Sequence, residues 1–75
     1  MKIEIIKHYA KDDKDFYEDY YSITVKINGK KVRHYGDSYH SKGAEQSIAF
    51  VDGVCFWFGE KVEPIITKKA DGITG

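Results

Sequence analysis

The chain has 75 residues, with twelve Lys and Arg balanced by twelve Asp and Glu, one Cys, one Pro and no Leu. That length holds one small domain, residues 1–75, whose core alone supplies only about 3 to 5 kcal/mol, and the lone Cys55 excludes an internal disulfide. Zero net charge excludes a protein whose affinity rests on neutralising phosphates with a Lys/Arg excess.

At 41% hydrophobic and 15% aromatic residues the chain should fold. Its aliphatic side chains are nine Ile and five Val, a β-branched inventory that leans toward strands. No apolar run approaches the roughly 18 residues of a membrane span, and Met1 to Lys7 lacks the long apolar stretch of a leader. The expectation is a soluble cytoplasmic protein with a reduced thiol.

Along the chain, Ile3 and Ile5 alternate with Lys2 and Glu4 and predict a first strand over Lys2 to His8. Asp12, Asp13, Asp15, Glu18 and Asp19 then gather around Lys14 without a trustworthy period, which reads as an acidic loop. From Tyr20 to Tyr35, two alternating runs meet at Asn28-Gly29, the dipeptide that tolerates positive φ at both centres of a type I′ hairpin. A two-residue turn sets Ile27 opposite Lys30, Val25 opposite Val32 and Ile23 opposite His34. Tyr21, Ile23, Val25, Ile27, Val32 and His34 then share a buried face. Tyr20, Ser22, Thr24, Lys26, Lys31, Arg33 and Tyr35 share a wet, basic one.

After a polar break over 36–42, Ala44, Ile48, Val51, Cys55 and Phe58 recur at helical spacing, with Ser41 as N-cap and Gly59 as the C′ stop. A second hairpin turning at Asp52-Gly53 is the rival reading of residues 48–58. The stripe stays in register across Gly53 and favours the helix. Lys61 to Thr67 reads as a short strand that Pro64 confines to an edge, and residues 68–75 as a fraying tail. The order β-β-β-α-β predicts an α+β fold of two layers, an antiparallel four-stranded sheet with one amphipathic helix on one face.

No catalytic constellation is legible. His8, His34, His40 and Cys55 are scattered over different elements and match no zinc spacing, so neither a metal, a cofactor nor an enzyme is expected. Two binding surfaces can be drawn. Phe50, Val54 and Trp57 fall to one side of the helix's core stripe, a surplus aromatic ridge of the kind that forms protein contacts, with Asp12, Asp13, Asp15, Glu18 and Asp19 as a charged rim. The alternative is a small-anion, nucleotide or single-stranded nucleic-acid site. It would combine Lys26, Lys31, Arg33 and Tyr35 of the hairpin with His40, Ser41, Lys42 and Gly43 at the helix N-terminus. Neutral composition, and the like-charged Lys26 and Lys31 facing each other, make nucleic acid the less favoured partner.

The stretch Tyr35-Gly36-Asp37-Ser38-Tyr39-His40-Ser41-Lys42-Gly43, followed by Glu45, Phe50, Asp52-Gly53 and Gly59, resembles short accessory proteins of T-even-like and related bacteriophages. The resemblance covers about the middle half of the chain. It implies early expression, dispensability and binding to a host or defence component in the cytoplasm of a bacterial host. The sequence-based expectation is therefore a non-enzymatic protein–protein interaction module, a phage-encoded modulator or inhibitor of a host or defence protein, with self-association as a companion property.

Overall fold

Asn28 and Gly29 sit at φ 52° and 81° and close the hairpin as a two-residue turn, and the rest of the architecture grows from it. A computed structural model describes residues 1–16, 20–36 and 42–72. Its elements are β1 (Ile3–Ala10), β2 (Ser22–Ile27), β3 (Lys30–Tyr35), α1 (Lys42–Phe58) and β4 (Ile65–Gly72). The strands form one sheet in the order β3-β2-β1-β4, and α1 lies across one face, an α+β fold in two layers.

The sheet is mixed and not wholly antiparallel, because β4 pairs parallel to β1. Two chain reversals leave β3 pointing the same way as β1. A 17-residue helix then returns the chain by about 25 Å, roughly the length of an eight-residue strand, so β4 starts at the end where β1 starts. A strand entered after such a crossover runs parallel to its neighbour. Strand β4 begins just after Pro64 and extends to Gly72, so residues 68–72, expected to fray, belong to the sheet. Residues 73–75 of the expected tail lie outside the described residues.

The hairpin register agrees with expectation for only two rungs. Ile27 faces Lys30 and Lys26 faces Lys31, but Val25 then faces Arg33, Thr24 faces His34 and Ile23 faces Tyr35. Val32 is the extra residue of a β-bulge, and beyond it every side chain of β3 changes face. Arg33 and Tyr35, expected on the wet face, turn toward the helix: Arg33 stacks over the Phe50 ring at 5.3 Å, and Tyr35 abuts Gly43. His34 and Val32, expected in the core, are exposed. Tyr20, expected on the wet face, is buried beneath the helix start, its hydroxyl accepting the Ala44 N–H at 2.7 Å.

The core is Ile3, Ile5 and Tyr9 from β1, Ile23 and Val25 from β2, Tyr20 and Val51. The helix meets it through a stripe rotated from the expected one. Gly43, Ser47 and Val51 are buried and Phe50 packs against the core, while Ile48 and Phe58 are exposed. Small side chains explain the rotation. A Cβ at Gly43 would lie only 3.4 Å from Tyr35 Cβ, so this end of the helix approaches the sheet closely. Ser47 is accommodated there because its hydroxyl donates to the Ala44 carbonyl at 2.8 Å.

The helix continues through Gly53, and no second hairpin forms at Asp52-Gly53. It ends as expected at Gly59, whose φ of 67° permits the C′ position. The Glu60 N–H bonds the Cys55 carbonyl at 3.0 Å and the Gly59 N–H bonds the Phe56 carbonyl at 3.2 Å, the paired closure of a Schellman motif. No helix among the described residues is long and apolar enough to cross a membrane.

Candidate functional site: a polar file on the open sheet face and an overhanging helix end

The sheet face opposite the helix carries a continuous file of polar side chains, one from each strand in spatial order. Asp71 of β4, His8 of β1, Thr24 of β2 and His34 of β3 are joined in turn. Asp71 Oδ1 lies 2.6 Å from His8 Nδ1, His8 Nε2 lies 2.8 Å from Thr24 Oγ1, and Thr24 Oγ1 lies 3.1 Å from His34 Nδ1.

Alternation along the strands places His8 and Thr24 on this face; bulges deliver the other two. An unbroken β3 would set His34 opposite Ile23, on the helix side, whereas the extra residue Val32 carries it across to Thr24. In β4 the ladder passes from His8↔Lys69 to Ala10↔Gly72, so the extra residue falls at Ala70 and Asp71. Asp71 is thereby drawn about 3 Å further back along the strand toward His8 than an unbroken ladder allows. Bulges re-aim side chains in this way beside functional sites.

The direction of the hydrogen bonds along the file is set by how many protons His8 carries. Asp71, as a carboxylate, can only accept, so His8 Nδ1 carries the hydrogen it donates. With a single proton on the ring, Nε2 accepts the Thr24 hydroxyl hydrogen; with a second proton, Nε2 donates to Thr24 Oγ1. Thr24 Oγ1 then accepts from His34 Nδ1–H in the first case and donates to His34 Nδ1 in the second. Thr24 is only 6% exposed, yet it lines, with Ser22, Lys31, Gly72 and the other three file residues, a shallow cavity of about 260 Å³. Among the described residues no group of three or more His, Cys, Asp or Glu could hold a metal ion. The parallel pairing of β4 and its bulge bring the Asp71 carboxylate to an imidazole sixty-three positions away in the chain, which no spacing in the sequence reveals.

The second feature is apolar. Helix α1 covers β2 and β3 with its N-terminal half, and its last turn projects past the sheet. Phe56, Trp57 and Phe58 are 85%, 83% and 68% exposed, and Ile48, Ile65 and Ile66 are exposed as well. Between the helix and β1 runs a groove of about 170 Å³ with Ile5, Val51, Cys55, Val62 and Pro64 in its walls. Its charged lining is Asp52, Lys61 and Glu63.

Of the residues expected to form a ridge, only Trp57 stands free. Phe50 packs against the core under Arg33, and Val54 is half-buried. Asp12, Asp13 and Asp15 of the acidic loop do not rim this surface. They follow the far end of β1, where Asp13 N–H bonds the Ala10 carbonyl, while Trp57 lies near the β1 start, where the Met1 amine meets Glu60 at 3.4 Å. About 25 Å of strand separates the two. Asp12 and Asp15 are exposed; Glu18 and Asp19 lie outside the described residues. Asp13 Oδ1 is buried without a hydrogen-bond partner among the described residues, and its carboxylate adds to the effect of burial in holding the Tyr9 phenol above its ordinary range, with Tyr20 contributing less.

The residues of the expected anion site are divided between faces. Lys26 and Lys31 pair on the open face, whereas Arg33, Tyr35 and the buried Gly43 lie on the helix side. His40, Ser41 and the Lys42 side chain lie outside the described residues. No protein-family model matches the chain, and neither a curated protein nor a solved structure matches it.

Proposed function

We propose that the chain acts by binding another protein, and that the projecting end of α1 is its contact surface. One observation carries the reading: Phe56, Trp57 and Phe58 stand consecutively in solvent on a helix whose other half is packed. Water contact at aromatic side chains forgoes about 25 cal/mol per Å² of apolar area, and Trp centred in an apolar patch is the residue type that dominates binding energies. The adjoining groove is apolar in its walls, and its charged groups are two acids and one base. Its fitting occupant is a partner that presents apolar side chains beside a basic one.

The phage resemblance supplies the setting, a modulator of a host or defence protein. A small-anion or nucleic-acid role draws less support, because the basic residues it needs are split between two faces. The test is affinity capture from bacterial lysate with the wild type, Trp57→Ala/Phe58→Ala, and Lys69→Ala as a control distant from the helix end. A partner retained by wild type and control, lost with the double variant, and reconstituted from purified components supports the proposal. Equal retention by a folded double variant refutes it. Sedimentation of the purified chain over a range of concentrations distinguishes a second copy as the occupant.

A further inference from the structure

We propose that Thr24 is an acyl-accepting nucleophile, with His8 as its general base and Asp71 as the positioning group, and that the cavity above them takes small carboxylic esters. This goes beyond protein binding and uses the opposite side of the sheet. Thr24 Oγ1 lies 2.8 Å from an imidazole nitrogen, and the other nitrogen of that ring lies 2.6 Å from a carboxylate oxygen. That constellation turns an unreactive alcohol into a nucleophile on unrelated folds, and it is recognised by geometry and roles. His34, whose Nδ1 lies 3.1 Å from the same oxygen, and Lys31 in the cavity wall would serve as donors to the developing oxyanion. Two bulges are spent on assembling the file, whereas a simple staple between neighbouring strands would need neither.

In the first half-reaction Thr24 Oγ1 adds to the ester carbonyl carbon while its proton passes to His8 Nε2. The bond to the leaving alcohol breaks, and His8 returns the proton to the departing oxygen, leaving acyl-Thr24 and free alcohol. Water then adds to the same carbonyl and gives a proton to His8. The bond from acyl carbon to Oγ1 breaks, Oγ1 recovers the proton, and the carboxylic acid leaves. Overall, ester and water become acid and alcohol.

The experiment uses the purified full chain and p-nitrophenyl acetate, so its outcome is independent of any protein partner. Nitrophenol release should depend on Thr24, with Thr24→Val lowering kcat/KM by roughly a hundredfold or more and Thr24→Ser retaining activity. Asp71→Asn should lower kcat at unchanged KM, as expected for a group that acts through His8. Acid quenching and tandem mass spectrometry should locate an acetyl group on Thr24. Hydrolysis by a folded Thr24→Val variant at the wild-type rate overturns the proposal. If that variant does not fold, acetyl mapping on the wild type still decides, and acetylation confined to lysines overturns it.

Discussion

Replacing Thr24 by Val removes the middle of the polar file while keeping the branched shape of the side chain and a high strand propensity, so its effect on stability isolates the hydrogen bonds. His8 Nε2 would face a methyl group in place of the hydroxyl it contacts at 2.8 Å, and His34 Nδ1 would lose its 3.1 Å partner. A buried polar group left without a partner costs about 1 to 3 kcal/mol. The His8 side chain is 18% exposed and His34 is exposed, so water relieves part of that cost and about 1 to 2 kcal/mol remains. For a domain of this size each kcal/mol shifts the melting temperature by about 4 to 8 °C, giving a fall of roughly 5 to 15 °C. Urea unfolding should show a lower midpoint at unchanged slope, because the area exposed on unfolding is the same. A variant as stable as the wild type, or more stable, would mean that the file contributes nothing to the fold.

Three further substitutions probe the elements that position the two sites. Gly72→Ala places a Cβ 2.8 Å from the Tyr9 carbonyl oxygen and 3.1 Å from Tyr21 Cβ, so the β4 bulge must shift; a loss of about 1 to 3 kcal/mol in urea unfolding is expected. Gly59→Ala puts a side chain at φ 67° in the Schellman closure and should cost about 1 kcal/mol by the same assay, with helical circular dichroism retained below the transition. Tyr9 has its phenol raised by burial, so above about pH 10 the unfolded chain releases this proton before the folded one does. Stability from this group is complete below that pH and declines as pH rises through the folded value. In Tyr9→Phe that part of the alkaline decline should vanish from thermal melts taken across the range.

How much of this was legible in the sequence differs by element. The hairpin turn at Asn28-Gly29 and the helix stop at Gly59 were readable because each needs a backbone conformation that few residues adopt. The β3 register was not, since Val32 is the only aliphatic residue in Lys30–Tyr35 and no burial pattern distinguishes a bulged strand from an unbroken one. The helix rotation followed from Gly43 and Ser47, small residues that a search for apolar periodicity passes over although close packing favours them. The parallel placement of β4 was available from connectivity: a helix between two strands returns the chain to its starting end. The polar file depends on both bulges and on that placement together, so its residues stayed unconnected in the sequence. The available signal was weak: Asp71-Gly72, a turn-forming pair inside a strand, marks a bulge.

The chain has a single tryptophan, and the proposed function rests on its exposure at the end of α1. Fluorescence of Trp57 in the dilute purified protein measures this directly. The expected result is emission like that of indole in water, full access to acrylamide, and a blue shift with loss of quenching when the captured partner is added. Blue-shifted emission protected from acrylamide in the isolated monomer would contradict it.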